Sequence, residues 1–221
     1  MNGPLELPAA AVITRAGRTR QGLVALFTAE GFLFSVDEDT YYQYGLPQAI
    51  KNGSLLSGGE LRLLADKSEH AHARAAALRL VSGRMYARRE LARKLAQKYD
   101  GPAVDWAVEE MERLGYLDDE AFARTRAGML LRKNRSRLVI LQDLADKGVD
   151  RQLAETVLEE LCSEEQEGDA AALDRLLEGQ YARRLAAGDT DKVRAALARR
   201  GFGCGQVRRA LERWQARRDF E

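Results

Sequence analysis

The sequence predicts a mainly α-helical protein: tandem three-helix, helix-turn-helix-like repeats in an elongated curved array, preceded by a small β-rich N-terminal module. Three observations predict this class. Composition changes near Ser57, apolar residues then recur at helical spacing almost to the C-terminus, and one helical segment repeats three times at intervals of about fifty residues. At 221 residues, 45% hydrophobic and 31% charged, the chain is long enough to bury a core without disulfides or metals. No run of about 18 uncharged apolar residues offers a membrane span. Met1 to Pro8 lacks the basic flank and apolar run of a signal peptide, so a cytoplasmic location is expected.

Residues 1–56 form the predicted β-module. Three of the four prolines (Pro4, Pro8, Pro47) and six of the fifteen aromatics lie before residue 60. Gln21 to Thr28 and Phe32 to Val36 are β-type runs joined by Ala29-Glu30-Gly31, a hairpin with Gly31 in its tight turn. Ile13 to Arg15 and Thr40 to Tyr44 read as further short strands. Ser57-Gly58-Gly59-Glu60 has the spacing of a capping box, in which hydroxyl and carboxylate satisfy orphan amides where a helix begins.

The helical part divides into residues 57–117 (a lead-in helix and repeat one), 118–166 and 167–221. Glu90 to Tyr99, Val139 to Gly148 and Lys192 to Gly201 superpose, each with an i, i+4 apolar pair: Leu91/Leu95, Ile140/Leu144 and Val193/Leu197. Gly148 and Gly201 suit the left-handed residue that ends a helix. A longer amphipathic helix precedes each segment and another follows it, so the unit is three helices with corners at Lys147–Asp150 and Arg200–Gly203. One such unit buries little apolar surface, so consecutive units are expected to stack.

Four motifs stand in order between Ala75 and Trp214: Glu90-Leu91-x-x-Lys94-Leu95, Leu114-Gly115-Tyr116-Leu117-Asp118-Asp119-Glu120-Ala121-Phe122-Ala123, Leu144-x-x-Lys147-Gly148-Val149 and Leu197-x-x-Arg200-Gly201-Phe202. In these the chain resembles the RecX family of RecA regulators. The β-module resembles the extra N-terminal segment of longer members. Two departures stand out: Ala87 replaces the usual capping Ser, and Asn134 to Val139 replaces a turn in which Gly and Pro are common. The first implies a weaker helix start, by about 1 kcal/mol.

The signature segment also has a direct physical reading. Asp118 and Asp119 precede an apolar run, one as N-cap and the other where the helix dipole favours negative charge. Gly115 can end the preceding helix, and Tyr116, Leu117 and Phe122 can wedge repeat one against repeat two. A structural role is therefore expected, since no partner base or further ligand accompanies the two acids.

The formal net charge is +1, from 35 Lys+Arg against 34 Asp+Glu, yet the charges are segregated. Arg84 to Lys98 holds six basic residues and one acidic; Asp100 to Glu120 holds eight acidic and one basic. Arg124 to Arg137 has six basic and no acidic residue; Asp143 to Asp174 has eleven acidic against two basic; Arg183 to Arg218 has eleven basic against three acidic. Solvated helix faces usually mix signs to gain i, i+4 pairs, which the Arg124–Arg137 block cannot do internally. Arg outnumbers Lys, which favours bidentate contacts to phosphate and carboxylate. Candidate contact residues are Arg124, Arg126, Arg132, Lys133, Arg135 and Arg137, with Arg88, Arg89, Arg93, Arg183 and Arg184 behind them.

The resemblance implies a non-enzymatic inhibitor. It would lie in the groove of the RecA–DNA filament and restrain ATP hydrolysis, strand exchange and co-protease activity, and with them DNA repair, recombination and the SOS response. The sequence supports no enzymatic alternative: phosphate loop, dinucleotide fingerprint, H-E-x-x-H and G-x-S-x-G are all missing. His70 and His72 point to different faces of a helix, and Cys162 and Cys204 lie far apart, so no metal or cofactor is expected. DNA binding should be weak, salt-sensitive and non-specific, because no recognition helix is evident and aromatic platforms are sparse. The alternatives are a helix-turn-helix transcriptional repressor acting without RecA, and a helical scaffold for some other protein. No apolar stripe is left over once the repeats are built, so a monomer is expected.

Overall fold

The structure is a computed structural model and describes residues 7–164 and 168–218. The chain divides into two compact units at the Leu117–Asp118 junction.

In the first unit β1 (Ala10–Val12) pairs antiparallel with β5 (Leu55–Ser57), while β2 (Arg15–Arg18), β3 (Val24–Thr28) and β4 (Gly31–Val36) form an antiparallel sheet in that order. The β3–β4 hairpin forms, but its turn is Ala29-Glu30 alone: Gly31, at φ 127°, is already the first residue of β4 and pairs with Thr28. Alternation along both strands turns Val24, Leu26, Phe34 and Val36 inward, onto Ile13 and Leu46.

Three local expectations need correction. Thr40 to Tyr44 is not a strand but lies largely in α1 (Glu38–Gln43). Asp37 accepts the Thr40 N–H at 2.7 Å, and this cap with two acids in the first turn outweighs the β-propensity of Tyr41 and Tyr42. The run from Gln21 becomes strand only at Val24, because a turn at Thr19–Leu23 puts Gly22 at φ 78° and gives the Leu23 N–H to the Thr19 hydroxyl. The strand expected at Ile13 to Arg15 reaches β2 only at Arg15. A second short helix, α2 (Leu46–Asn52), begins with Pro47 in its first turn, where a missing N–H costs nothing.

Helix α3 (Gly58–Val81) starts on the capping box. Glu60 N donates to Ser57 Oγ at 3.4 Å, while Ser57 N and the Ser57 hydroxyl each donate to Glu60 Oε2 at 2.7 Å, and these last two bonds hold the Glu60 carboxyl below its ordinary pKa. Leu61 and Leu64 near its start complete the β-module core; Ala73 and Ala77 further along pack with α4 (Arg88–Leu95) and α5 (Gly101–Arg113). One helix therefore serves two cores.

The second unit comprises α6 (Asp119–Arg132), α7 (Arg137–Lys147), α8 (Arg151–Glu164), α9 (Asp169–Glu178), α10 (Ala182–Ala186), α11 (Thr190–Ala198) and α12 (Cys204–Arg218). The first three pack on one another through buried Phe122, Leu130, Ile140, Leu144, Val157 and Leu158. The remaining four enclose Leu173, Leu177, Tyr181, Val193, Leu197, Phe202, Val207 and Leu211. Each such side chain contributes about 1.5–3 kcal/mol when fully buried. Where one lead helix was expected in the last repeat, there are two, because the chain breaks at Gly179 and restarts at Tyr181.

The two helical groups of this unit are locked by backbone. The corner after α11 lies on the start of α7: Ser136 N donates to Arg200 O at 3.2 Å. A Cβ on Gly201 (φ 91°) would lie 2.2 Å from Val139 Cγ2 and 2.4 Å from Ser136 Oγ. Asp169, opening α9, accepts from Arg137 N at 2.9 Å and from Gln206 Nε2 at 3.0 Å.

Candidate functional site

The lock forms a cleft. Helix α6 ends in a turn in which Asn134 N donates to Leu131 O at 2.8 Å and Arg135 N to Leu130 O at 3.1 Å. This pair of reverse bonds requires a left-handed residue, and Asn134 supplies it at φ 50°. Asn adopts this conformation more readily than most residues other than Gly, so its place where Gly is common in the family is conservative in shape. Helix α11 ends opposite, at Arg199 and Arg200. Lys133, Asn134, Arg135, Tyr181, Ala196, Arg199 and Arg200 line a space of about 560 Å³.

Two guanidinium groups brace this cleft through carbonyl oxygens. Arg200 Nη1 donates to Lys133 O at 2.7 Å and its Nη2 to Gln180 Oε1 at 2.8 Å, while Arg135 Nη1 donates to Arg199 O at 3.2 Å. Each keeps its full charge, because a carbonyl neutralises nothing. Lys133 and Arg199 are exposed, and their side chains have no protein partner among the described residues. No carboxylate lines the space.

The remaining predicted contact residues divide by partner. Arg126 is half-buried and clamps α6 to α7, with Nε and Nη2 donating to Asp143 at 2.7 and 2.8 Å. Arg124 pairs with Glu160 and lies 3.7 Å from Glu120. Arg137 Nη2 lies 4.0 Å from Glu159. Arg88 Nε lies 3.4 Å from Glu112, and Arg93 Nε donates to Arg89 O at 3.3 Å. Arg89, Arg132, Arg183 and Arg184 are exposed without an ion pair among the described residues. The structure therefore brings Lys133 and Arg135 together with Arg199 and Arg200, two residues absent from the sequence-derived set. A signal for Arg200 existed: it is the basic residue before a helix-ending glycine, as Lys147 is before Gly148.

In the signature segment Asp118 accepts the Ala121 N–H at 2.9 Å, Asp119 lies in the first turn of α6, and Gly115 takes φ 76°. Leu117 is buried in the core of the first unit and Phe122 in that of the second, but Tyr116 is 52% exposed and forms no part of a buried wedge. His70 stacks on Trp106 with centroids 5.2 Å apart. Burial and the nearby Lys98 lower the His72 pKa, against a smaller opposing pull from Glu69. Among the described residues no group of His, Cys, Asp and Glu could hold a metal ion, and no helix is long and apolar enough to cross a membrane.

Residues 73–111 match the RecX first three-helix domain and residues 118–158 the RecX second three-helix domain. The regulatory protein RecX of Lactobacillus delbrueckii subsp. bulgaricus is 32% identical over 197 residues, covering 87% of this chain and 70% of that protein. That of Pelodictyon phaeoclathratiforme is 35% identical over 144 residues, 61% of this chain and 84% of the relative. A crystal structure of regulatory protein RecX superposes with a TM-score of 0.63 at 18% identity, over 91% of this chain and 99% of that one. The crystal structure of RecX from Lactobacillus salivarius gives 0.55 at 20% identity, over 69% and 99%.

Proposed function

The chain belongs to the RecX family of regulatory proteins, and from that premise we propose that it is a non-enzymatic negative regulator of the RecA recombinase. It binds in the groove of the RecA–DNA filament and restrains ATP hydrolysis, strand exchange and co-protease activity, and through them DNA repair, recombination and the SOS response. The observation that carries this reading is the segregation of charge in three dimensions. Lys133, Arg135, Arg199 and Arg200 meet with no carboxylate among them, while the acids of α8 face other arginines of α6 and α7. A surface with cations concentrated in one place suits a filament built of protein and phosphate.

The test is the RecA ATPase on single-stranded DNA with and without the protein. Addition of the full chain should slow hydrolysis, and an unchanged rate would overturn the proposal. Arg132→Glu with Lys133→Glu removes two exposed cations that hold nothing else together. This variant should keep its helical circular dichroism and lose most of the inhibition.

A further inference from the structure

We propose that the cleft between the α6–α7 turn and the end of α11 seats the sugar–phosphate backbone of a DNA strand, without reading its bases. This rests on the reading that the protein works on a DNA-bearing filament, and adds where and how the strand is held.

Charge arithmetic excludes the simpler account, in which these cations merely neutralise helix ends. Two helix C-termini converge here, and each carries about −0.5 elementary charge. Four cations line the space, so a surplus of about +3 remains with no carboxylate to meet it. Like charges so close repel one another, and an anion from outside is what relieves them.

The lining also discriminates among anions. Its apolar content is the Tyr181 ring and Ala196, which leaves no anchor of the kind that dominates protein–protein contacts. Tyr181 is only 4% exposed and its phenol has no protein hydrogen-bond partner among the described residues, so it adds a neutral donor. The Asn134 amide oxygen is already taken by Arg175 at 3.3 Å, so no free amide offers bidentate adenine contact. Arg132, next to Lys133 in sequence, and Arg183 and Arg184, just after Tyr181, are exposed cations without an ion pair among the described residues. Cations in series suit a ligand whose charge repeats, as a phosphodiester chain does and a single carboxylate does not.

The experiment is a fluorescence anisotropy titration of a labelled oligothymidylate with the full chain, in the absence of recombinase, from about 50 to about 200 mM NaCl. Lys133→Glu with Arg199→Glu should weaken binding at least about tenfold and flatten the dependence of log K on log salt by about 1.4, that is about 0.7 for each of two phosphates. Arg79→Glu with Arg151→Glu makes the same change in net charge on exposed positions outside the cleft, and should alter affinity less than about twofold. The milder Lys133→Gln with Arg199→Gln should fall between. Equal loss in the two Glu pairs, or loss in neither, overturns the proposal. So does a strong preference for one base sequence among oligonucleotides of equal length. If the cleft variant keeps oligonucleotide binding but no longer restrains the RecA ATPase, the cleft meets protein; the DNA seat is then wrong and the regulatory reading stands. If the wild-type chain leaves the ATPase untouched while the cleft variant alone loses the oligonucleotide, the regulatory reading fails and the DNA seat stands.

Discussion

Helices α4 and α7 hold corresponding places in two consecutive three-helix units, and they start differently. Helix α4 begins from Ala87, whose side chain accepts nothing, and Glu90, three residues on, turns to Arg84 at 3.0 and 3.1 Å. The same Arg84 lies over the Tyr86 ring at 3.6 Å. Helix α7 begins from Ser136, fully buried, whose hydroxyl accepts the Val139 N–H and whose own N–H is taken by Arg200 O from the next helical group. In the first case arginines near the helix start are held by carboxylates, Arg84 by Glu90 and Arg88 by Glu112. In the second, Arg137 lies 4.0 Å from Glu159, but Arg135 and Arg200 are held by carbonyls, which carry no charge to offset theirs. The cations of Arg135 and Arg200 are thus available to an anionic partner, because oxygen without formal charge rather than carboxylate braces them.

The sharpest way to break this contrast is Gly201→Ala. A methyl group there overlaps Val139 and Ser136 and also strains a left-handed backbone, so unfolding in urea should show a loss of about 2–4 kcal/mol. Gly115→Ala, at φ 76° with open space around it, should lose only about 1–2 kcal/mol. If the two cost the same, the close approach of the α11 corner to α7 is not real. Ser136→Ala should destabilise by about 1–2 kcal/mol, because the part-buried Val139 amide loses its partner. Arg84→Ala, which removes the ion pair to Glu90 near the start of α4, should cost no more than about 1 kcal/mol, the ordinary worth of an exposed ion pair.

The smallest expected effect concerns pH, and it separates the two units, since both histidines lie in the first. Burial holds the folded-state pKa of His72 below its ordinary 6.5, so between these values the unfolded chain binds a proton that the folded chain does not. Stability is therefore full above about pH 6.5 and declines as pH falls through the folded-state pKa. His72→Gln should flatten that part of a plot of unfolding midpoint against pH. An unchanged slope would show that His72 is not the group responsible.

What could be read in advance was local. The capping box at Ser57, the Asp118 cap and the glycines that end α7 and α11 depend on residues a few positions apart, and each forms. Thr40 to Tyr44 was misleading for the same reason in reverse: two tyrosines favour strand, but one upstream aspartate settles the helix. Among the contact residues, Arg126 shows the limit most clearly. In sequence it stands in a block without acids, yet folding sets it against Asp143, seventeen positions away.

Residue pattern alone specified the helical class, the repeat, the segregated charge and the family resemblance, because periodicity, capping and composition are properties of neighbours along the chain. Only the packed chain decided which cations stand free. Lys133 and Arg200 are separated by 67 positions, and they meet because Gly201 lacks the side chain that would keep the α11 corner away from Ser136. Long-range contact depends on what the intervening helices bury, and that is a property of the whole core rather than of any segment.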